Sequence, residues 1–141
     1  MGDPVVRVNG IDHVVFHVKD IERSKRFYMD VLGFTWRHEL ERPGFHMSFL
    51  SCGSQGLDLC EVPDADIHGG AELNHMALRL VEGEREEVVS KLAAVGVKVF
   101  GRDNDPSTMY LDDPDGHRIQ LLSVVEQQEV LVRETARAAS N

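Results

Sequence analysis

The stretch IDHVVFHV, residues 11–18, sets a histidine third in an apolar run, and LNHMALRL, residues 73–80, does so again. His13 and His75 stand 75 − 13 = 62 apart. Sliding the chain over itself by that offset puts Ile11 on Leu73, Asp12 on Asn74, Phe16 on Leu78 and Val18 on Leu80. At the same offset Met47 meets Met109, Phe49 meets Leu111, Leu57 meets Ile119, Asp58 meets Gln120 and Leu59 meets Leu121. Between these blocks the register slips by one, so that LGF (32–34) meets VGV (95–97). Identity is low but residue class is kept. Two blocks at one offset read as an internal duplication.

Each copy reads as βαβββ. Strands open at Ile11 to Val18 and at Leu73 to Leu80. In the first copy Asp20 is a helix N-cap, Phe27, Tyr28, Val31 and Leu32 recur at helical spacing, and Gly33 ends the helix. In the second, EGEREE puts acids at the helix start, Val88, Leu92 and Val95 make the apolar stripe, and Gly96 closes it. Three strands follow in each copy, near Thr35 to Glu39, Met47 to Leu50 and Leu57 to Val62, then near Lys98 to Phe100, Met109 to Leu111 and Arg118 to Val124. CGSQG and DDPDG are turns. The expected organisation is one α+β domain over 1–141. Its first module is 11–62, a polar linker spans 63–72, the second module is 73–124, and 125–141 is a C-terminal helix or tail. The two modules are expected to form one curved half-barrel sheet.

The 141 residues suit one domain with a core, and no apolar run approaches the ~20 residues of a membrane helix. The opening MGDPVVRVNG lacks the basic and apolar blocks of a secretion signal. A net charge of −9 argues against a nucleic-acid partner. Cys52 and Cys60 form neither a metal-type CxxC nor a disulfide framework, and read as reduced residues of a cytoplasmic protein.

Strand alternation turns His13, Val15 and His17 one way and Val14, Phe16 and Val18 the other, onto the helix. Leu57 and Leu59, like Ile119 and Leu121, belong to the helix side, so His13, Asp58, His75 and Gln120 all fall on the opposite face. Two imidazoles, a carboxylate and an amide oxygen suit a divalent ion such as Fe, Ni, Zn or Mn, acting as a Lewis acid on an oxygen-rich substrate. Set against this, a lone strand histidine is more often a hydrogen-bonded core or surface residue; the equal spacing of the two pairs tips the reading to a metal. His17 lines the pocket or simply packs. His38, His46, His68 and His117 read as surface residues.

IDHVVFHVKDIERSKRFYMDVLGF resembles the opening of the vicinal oxygen chelate superfamily, which includes glyoxalases, bleomycin-resistance proteins, extradiol dioxygenases, fosfomycin-resistance transferases and methylmalonyl-CoA epimerases. LNHMALRL and MYLDDPDGHRIQLL resemble the start and end of its second module. The resemblance implies paired βαβββ modules, a divalent metal in many members, and a homodimer whose sites often combine modules of two subunits. It carries the metal positions onto His13, Asp58, His75 and Gln120. The last is commonly Glu, which serves as base in glyoxalase-like members; Gln120 cannot take up a proton, which leaves Asp58 as candidate base. Tyr110, ten residues before Gln120, matches an active-site Tyr of extradiol enzymes and, with His17, is a candidate for orienting substrate. The leading expectation is a metal-dependent glyoxalase-like isomerase or lyase of a small oxygen-rich substrate. The alternatives are an Fe(II) ring-cleaving dioxygenase of catechols and a non-catalytic bleomycin-resistance-type binder.

Overall fold

Alternation along HVVFHV builds β1 (His13–Val18), in which Phe16 and Val18 are buried while His13, Val15 and His17 stay exposed. Asp20 accepts a hydrogen bond from Arg23 N at 2.9 Å and so starts α1 (Ile21–Arg26). The helix runs on as a π-helical turn, Phe27–Val31, where a plain α-helix was expected; Tyr28 is buried there, and Gly33 leaves it at φ +77°. Strands β2 (Thr35–Arg42), β3 (Phe45–Cys52) and β4 (Gln55–Glu61) complete the first copy. All three begin or end beyond the expected bounds, because cross-strand pairing extends them through polar residues that local pattern reads as loop.

The second copy repeats this with β5 (Met76–Arg79), α2 (Arg85–Ala94), β6 (Phe100–Arg102), β7 (Asp105–Asp112) and β8 (Arg118–Leu122). β5 is shorter than the expected 73–80, so His75 lies one residue ahead of it. Val88 and Leu92 are buried in α2, but Val95 is its C-cap and 64% exposed, so the expected stripe ends a turn early. The tail forms α3 (Val124–Ala139), opened by a capping box in which Ser123 and Glu126 satisfy each other's backbone N–H groups. Gln127 Nε2 ties its first turn to β5 and β8 by donating to Leu80 O and Leu122 O, both at 3.0 Å.

The structure describes Gly2, Pro4, Val5, Arg7 and residues 9–140, without the side chains of Val130, Leu131 and Glu134. It is a computed structural model, and it divides into two units, Met1–Ala65 and Asp66–Asn141. Each unit holds one open, four-stranded mixed sheet, ordered β1-β4-β3-β2 in the first and β5-β8-β7-β6 in the second. The first and last strands of each copy pair in parallel, and the hairpins between are antiparallel. Leu50, Leu57 and Leu59 form the core face of the first sheet; Met109, Leu111, Ile119 and Leu121 form that of the second. Each such burial contributes about 1.5–3 kcal/mol. Among the described residues no helix is long and apolar enough to cross a membrane.

The copies differ at one turn. Asp58 pairs with Phe49 across the first hairpin, and Gln120 pairs with Tyr110 across the second. Since 120 − 58 = 62 but 110 − 49 = 61, the turn between β7 and β8 is one residue longer than that between β3 and β4. Matching Phe49 with Leu111 and Met47 with Met109 is therefore out of register by one, and Tyr110 is the true counterpart of Phe49. Asp113 holds the longer turn, its Oδ1 accepting from Asp115 N at 2.9 Å and His117 N at 2.8 Å. Gly69 packs so close to this turn that a Cβ there would lie 2.1 Å from Gly116 O.

Candidate metal centre

In the first unit, parallel pairing sets Val15 beside Asp58, so the two strands carry His13 and Asp58 on one face. His13 Nε2 lies 3.7 Å from Asp58 Oδ2. His13 Nδ1 lies 2.7 Å from Asp12 Oδ2. A carboxylate only accepts, so Nδ1 carries the proton, and in the neutral ring Nε2 turns its lone pair toward Asp58. The Asp12 hydrogen bond, and after it the charge of Asp58, raise the pKa of His13 above its ordinary value. Asp58 is buried, and that burial raises its pKa, opposed first by His13 and then by His38.

The second unit repeats the arrangement with an amide. His75 Nδ1 lies 2.8 Å from Asn74 Oδ1, which leaves its Nε2 free in the same sense. Gln120 is the cross-strand partner of Ala77, two residues beyond His75, and of Tyr110. The His75 ring meets the Tyr110 ring edge-on at 5.5 Å. Tyr110 is 3% exposed and its hydroxyl has no hydrogen-bond partner among the described residues. It lines a cavity of about 390 Å³ with Asn74, Phe100, Arg102 and Arg118. Among the described residues no group of three or more His, Cys, Asp or Glu is gathered around one point.

The first unit has its own cavity, of about 280 Å³, lined by His13, Asp58, Arg37, His38, Phe49 and Ser54. His17 is not among its lining residues; it is exposed on the same face, opposite Cys60. His38, read as a surface residue, is exposed, and its ring stacks on Phe49 with ring centroids 4.1 Å apart and planes 11° apart. A β-bulge explains this. Trp36 pairs with Leu50 and His38 with Phe49, so Arg37 is the extra residue, and the rest of the strand changes face. Uniform alternation from Thr35 would have sent His38 to the helix side. His46, read as a surface residue too, is instead half-buried. It lies on the helix side, with Nε2 3.1 Å from Glu39 Oε1 and Nδ1 3.8 Å from Glu61 Oε1.

The donor chemistry fits a divalent ion. Two ligands each about 2.0–2.2 Å from one ion stand roughly 3–4 Å apart, and the His13–Asp58 separation lies in that range. Metal-bound imidazoles donate the other ring N–H to a carboxylate or carbonyl; Asp12 and Asn74 are placed to receive it at His13 and His75. Sequence reasoning passed over both acceptors. The signal was an oxygen side chain immediately before each histidine, at the same repeat position.

The family model for the Glyoxalase/Bleomycin resistance protein/Dioxygenase superfamily matches residues 10–121, and the chain belongs to that superfamily. The metallothiol transferase FosB of Staphylococcus saprophyticus is 31% identical over 121 residues, 81% of this chain and 76% of that protein. FosB of Lysinibacillus sphaericus is 29% identical over 120 residues, 80% of this chain and 81% of that one. Among solved structures, the trypanothione-dependent glyoxalase I of Leishmania major matches with a TM-score of 0.74 at 21% identity, over 95% of this chain and all of that one. A mutant of the fosfomycin resistance protein FosX from Listeria monocytogenes, solved with Mn(II) and 1S,2S-dihydroxypropylphosphonic acid, matches at 0.72 and 19%, over 88% and 99%. At these identities the structural likeness speaks for the fold, and the chain has the glyoxalase-like α+β fold.

Proposed function

We propose that the chain is a divalent-metal-dependent enzyme of small oxygen-rich molecules, with His13, Asp58, His75 and Gln120 as metal ligands. The observation that carries this reading is the matched orientation of the two histidines. Asp12 at 2.7 Å and Asn74 at 2.8 Å each engage Nδ1 and leave Nε2 as the free donor atom. Buried or decorative histidines have no reason to repeat that arrangement at equivalent positions. The Mn(II) held by the FosX relative agrees with it. When bound, the ion supplies Lewis-acid polarisation of substrate oxygens.

The chain's own residues divide the remaining work. Asp58 is the carboxylate of the set, and because Gln120 cannot take up a proton, Asp58 is the base that removes one from substrate. Asp12 and Asn74 hold the imidazole tautomers. Tyr110 orients substrate, and its unpartnered hydroxyl is the donor available for that task. With a single base, the chemistry favoured is glyoxalase-like isomerase or lyase chemistry. The FosB relatives, named metallothiol transferases, support a second reading, transfer of a thiol to a small molecule. As in those readings, the chain is proposed to work as a homodimer.

The test starts from protein purified without chelator and titrated with Mn²⁺, Ni²⁺ and Zn²⁺. One ion per chain is expected. His13→Ala and His75→Ala are each expected to lose it while circular dichroism stays unchanged. Turnover of a glutathione hemithioacetal supports the first reading, and thiol addition to fosfomycin the second. Oxygen uptake with catechol after anaerobic Fe²⁺ loading would replace both with ring cleavage. Absence of stoichiometric metal from wild-type protein would overturn the proposal in favour of a binder.

A further inference from the structure

The bulge in β2 has an effect beyond register. It brings two consecutive side chains, Arg37 and His38, to the cavity that holds His13 and Asp58. Bulges beside functional sites commonly re-aim a side chain in this way. Among the described residues, neither the Arg37 guanidinium nor the His38 ring nitrogens has a hydrogen-bond or salt-bridge partner; the side-chain contact of His38 is its stacking on Phe49. That stacking fixes the plane of the imidazole and so the direction of its ring nitrogens. Arg37 contributes a positive charge with five donors in a fixed fork. Ser54 adds a hydroxyl at the same wall. Facing them are two carboxylates, Asp12 and Asp58, whose charge a divalent ion would offset, leaving Arg37 as the excess charge of the cavity.

Resting on the metal-dependent reading above, we infer that Arg37 and His38 are substrate-contact residues that select a small molecule carrying an anionic oxygen group, a carboxylate or a phosphonate, next to its metal-binding oxygens. A guanidinium fork matches both anions. An uncharged diol gains nothing from it. The pair therefore sets specificity and takes no part in holding the metal.

The experiment measures binding of 1S,2S-dihydroxypropylphosphonic acid and of D-glycerate, its carboxylate counterpart, by calorimetry on full-length protein with and without Mn²⁺. Mn²⁺ affinity is measured separately by the free-ion electron paramagnetic resonance signal. Arg37→Ala is expected to weaken the preferred acid about 10–100-fold, and His38→Ala about fivefold. Arg37→Lys should restore part of the loss, since it keeps the charge without the fork. Mn²⁺ affinity should stay within about twofold of wild type in all three variants, and binding of propane-1,2-diol should not depend on residue 37. Tighter binding of one acid identifies the anion. Equal affinity for both acids in wild type and Arg37→Ala overturns the inference while leaving the metal reading intact, as does failure of wild-type protein to bind either acid. Acid binding that depends on Arg37 in protein that takes up no Mn²⁺ sustains the inference and overturns the metal reading.

Discussion

Single side chains separate structural from chemical roles here. Asp12 is an exposed residue whose carboxylate meets the ring of His13. Asp12→Ala should therefore leave thermal stability nearly unchanged and weaken metal binding about 10–100-fold, the usual effect of removing such an orienting partner; a metal titration beside a melting curve reads both. Tyr110 gives the complementary case. Its hydroxyl is buried without a partner, and a buried polar group left unmatched costs about 1–3 kcal/mol. Tyr110→Phe should leave stability unchanged or raise it by about 1 kcal/mol in a denaturant titration, while slowing turnover of the substrate that the hydroxyl orients. A loss of stability would mean that the phenol is held by the fold itself.

At the scale of elements, Glu39 knits one helix and two strands together. Its carboxylate accepts from Trp36 Nε1 at 2.8 Å, from Lys25 Nζ at 3.2 Å and from His46 Nε2 at 3.1 Å. Burial pushes its pKa up, but these donors, Trp36 foremost, outweigh it and hold the carboxyl below its ordinary value. A lowered folded-state pKa means stability that is present above the unfolded value and lost as pH falls through the folded one. Glu39→Gln should cost about 1–2 kcal/mol at pH 7, and the difference from wild type should shrink as the pH falls below the ordinary carboxyl range and vanish once it passes the lowered folded-state value. Paired urea titrations across that range check it. The same elements show what was legible in advance. Alternation along residues 13–18 and 57–59 gave the faces of β1 and β4, and Asp20 gave the start of α1. The bulge at Arg37 was not legible, because an extra residue leaves no mark in composition and is set by pairing with β3. For that reason the place of His38 on Phe49 at the cavity was not legible, although its exposure was. The β7 register was misjudged because Met47 and Phe49 meet Met109 and Leu111 at one offset while Phe49 and Leu50 meet Tyr110 and Leu111 at the other, so hydrophobic class alone does not choose.

For the molecule as a whole, the duplicated pattern was the legible signal, and the four polar positions followed from it. What the pattern does not contain is the role of the acceptors at 12 and 74 and the residues that meet substrate. A ligand that binds only the folded chain stabilises it by an amount set by its concentration over its dissociation constant. Mn²⁺ at a hundred times that constant should add about 2.7 kcal/mol. Calorimetric melting should show the rise, chelator should reverse it, and both His13→Ala and His75→Ala should abolish it. A rise that survives both substitutions would assign the ion to other residues.

The extra residue in the turn between β7 and β8 also constrains the history of the gene. With turns of unequal length, exchange of sequence between the two halves cannot homogenise them without shifting a register. A hybrid hairpin joining β3 to the longer turn and β8 would turn Phe49 away from the site and drive Met47 and Ser51 the same way. The halves are thereby free to diverge in chemistry, one toward a carboxylate and the other toward an amide, with the hairpin acting as the barrier between them.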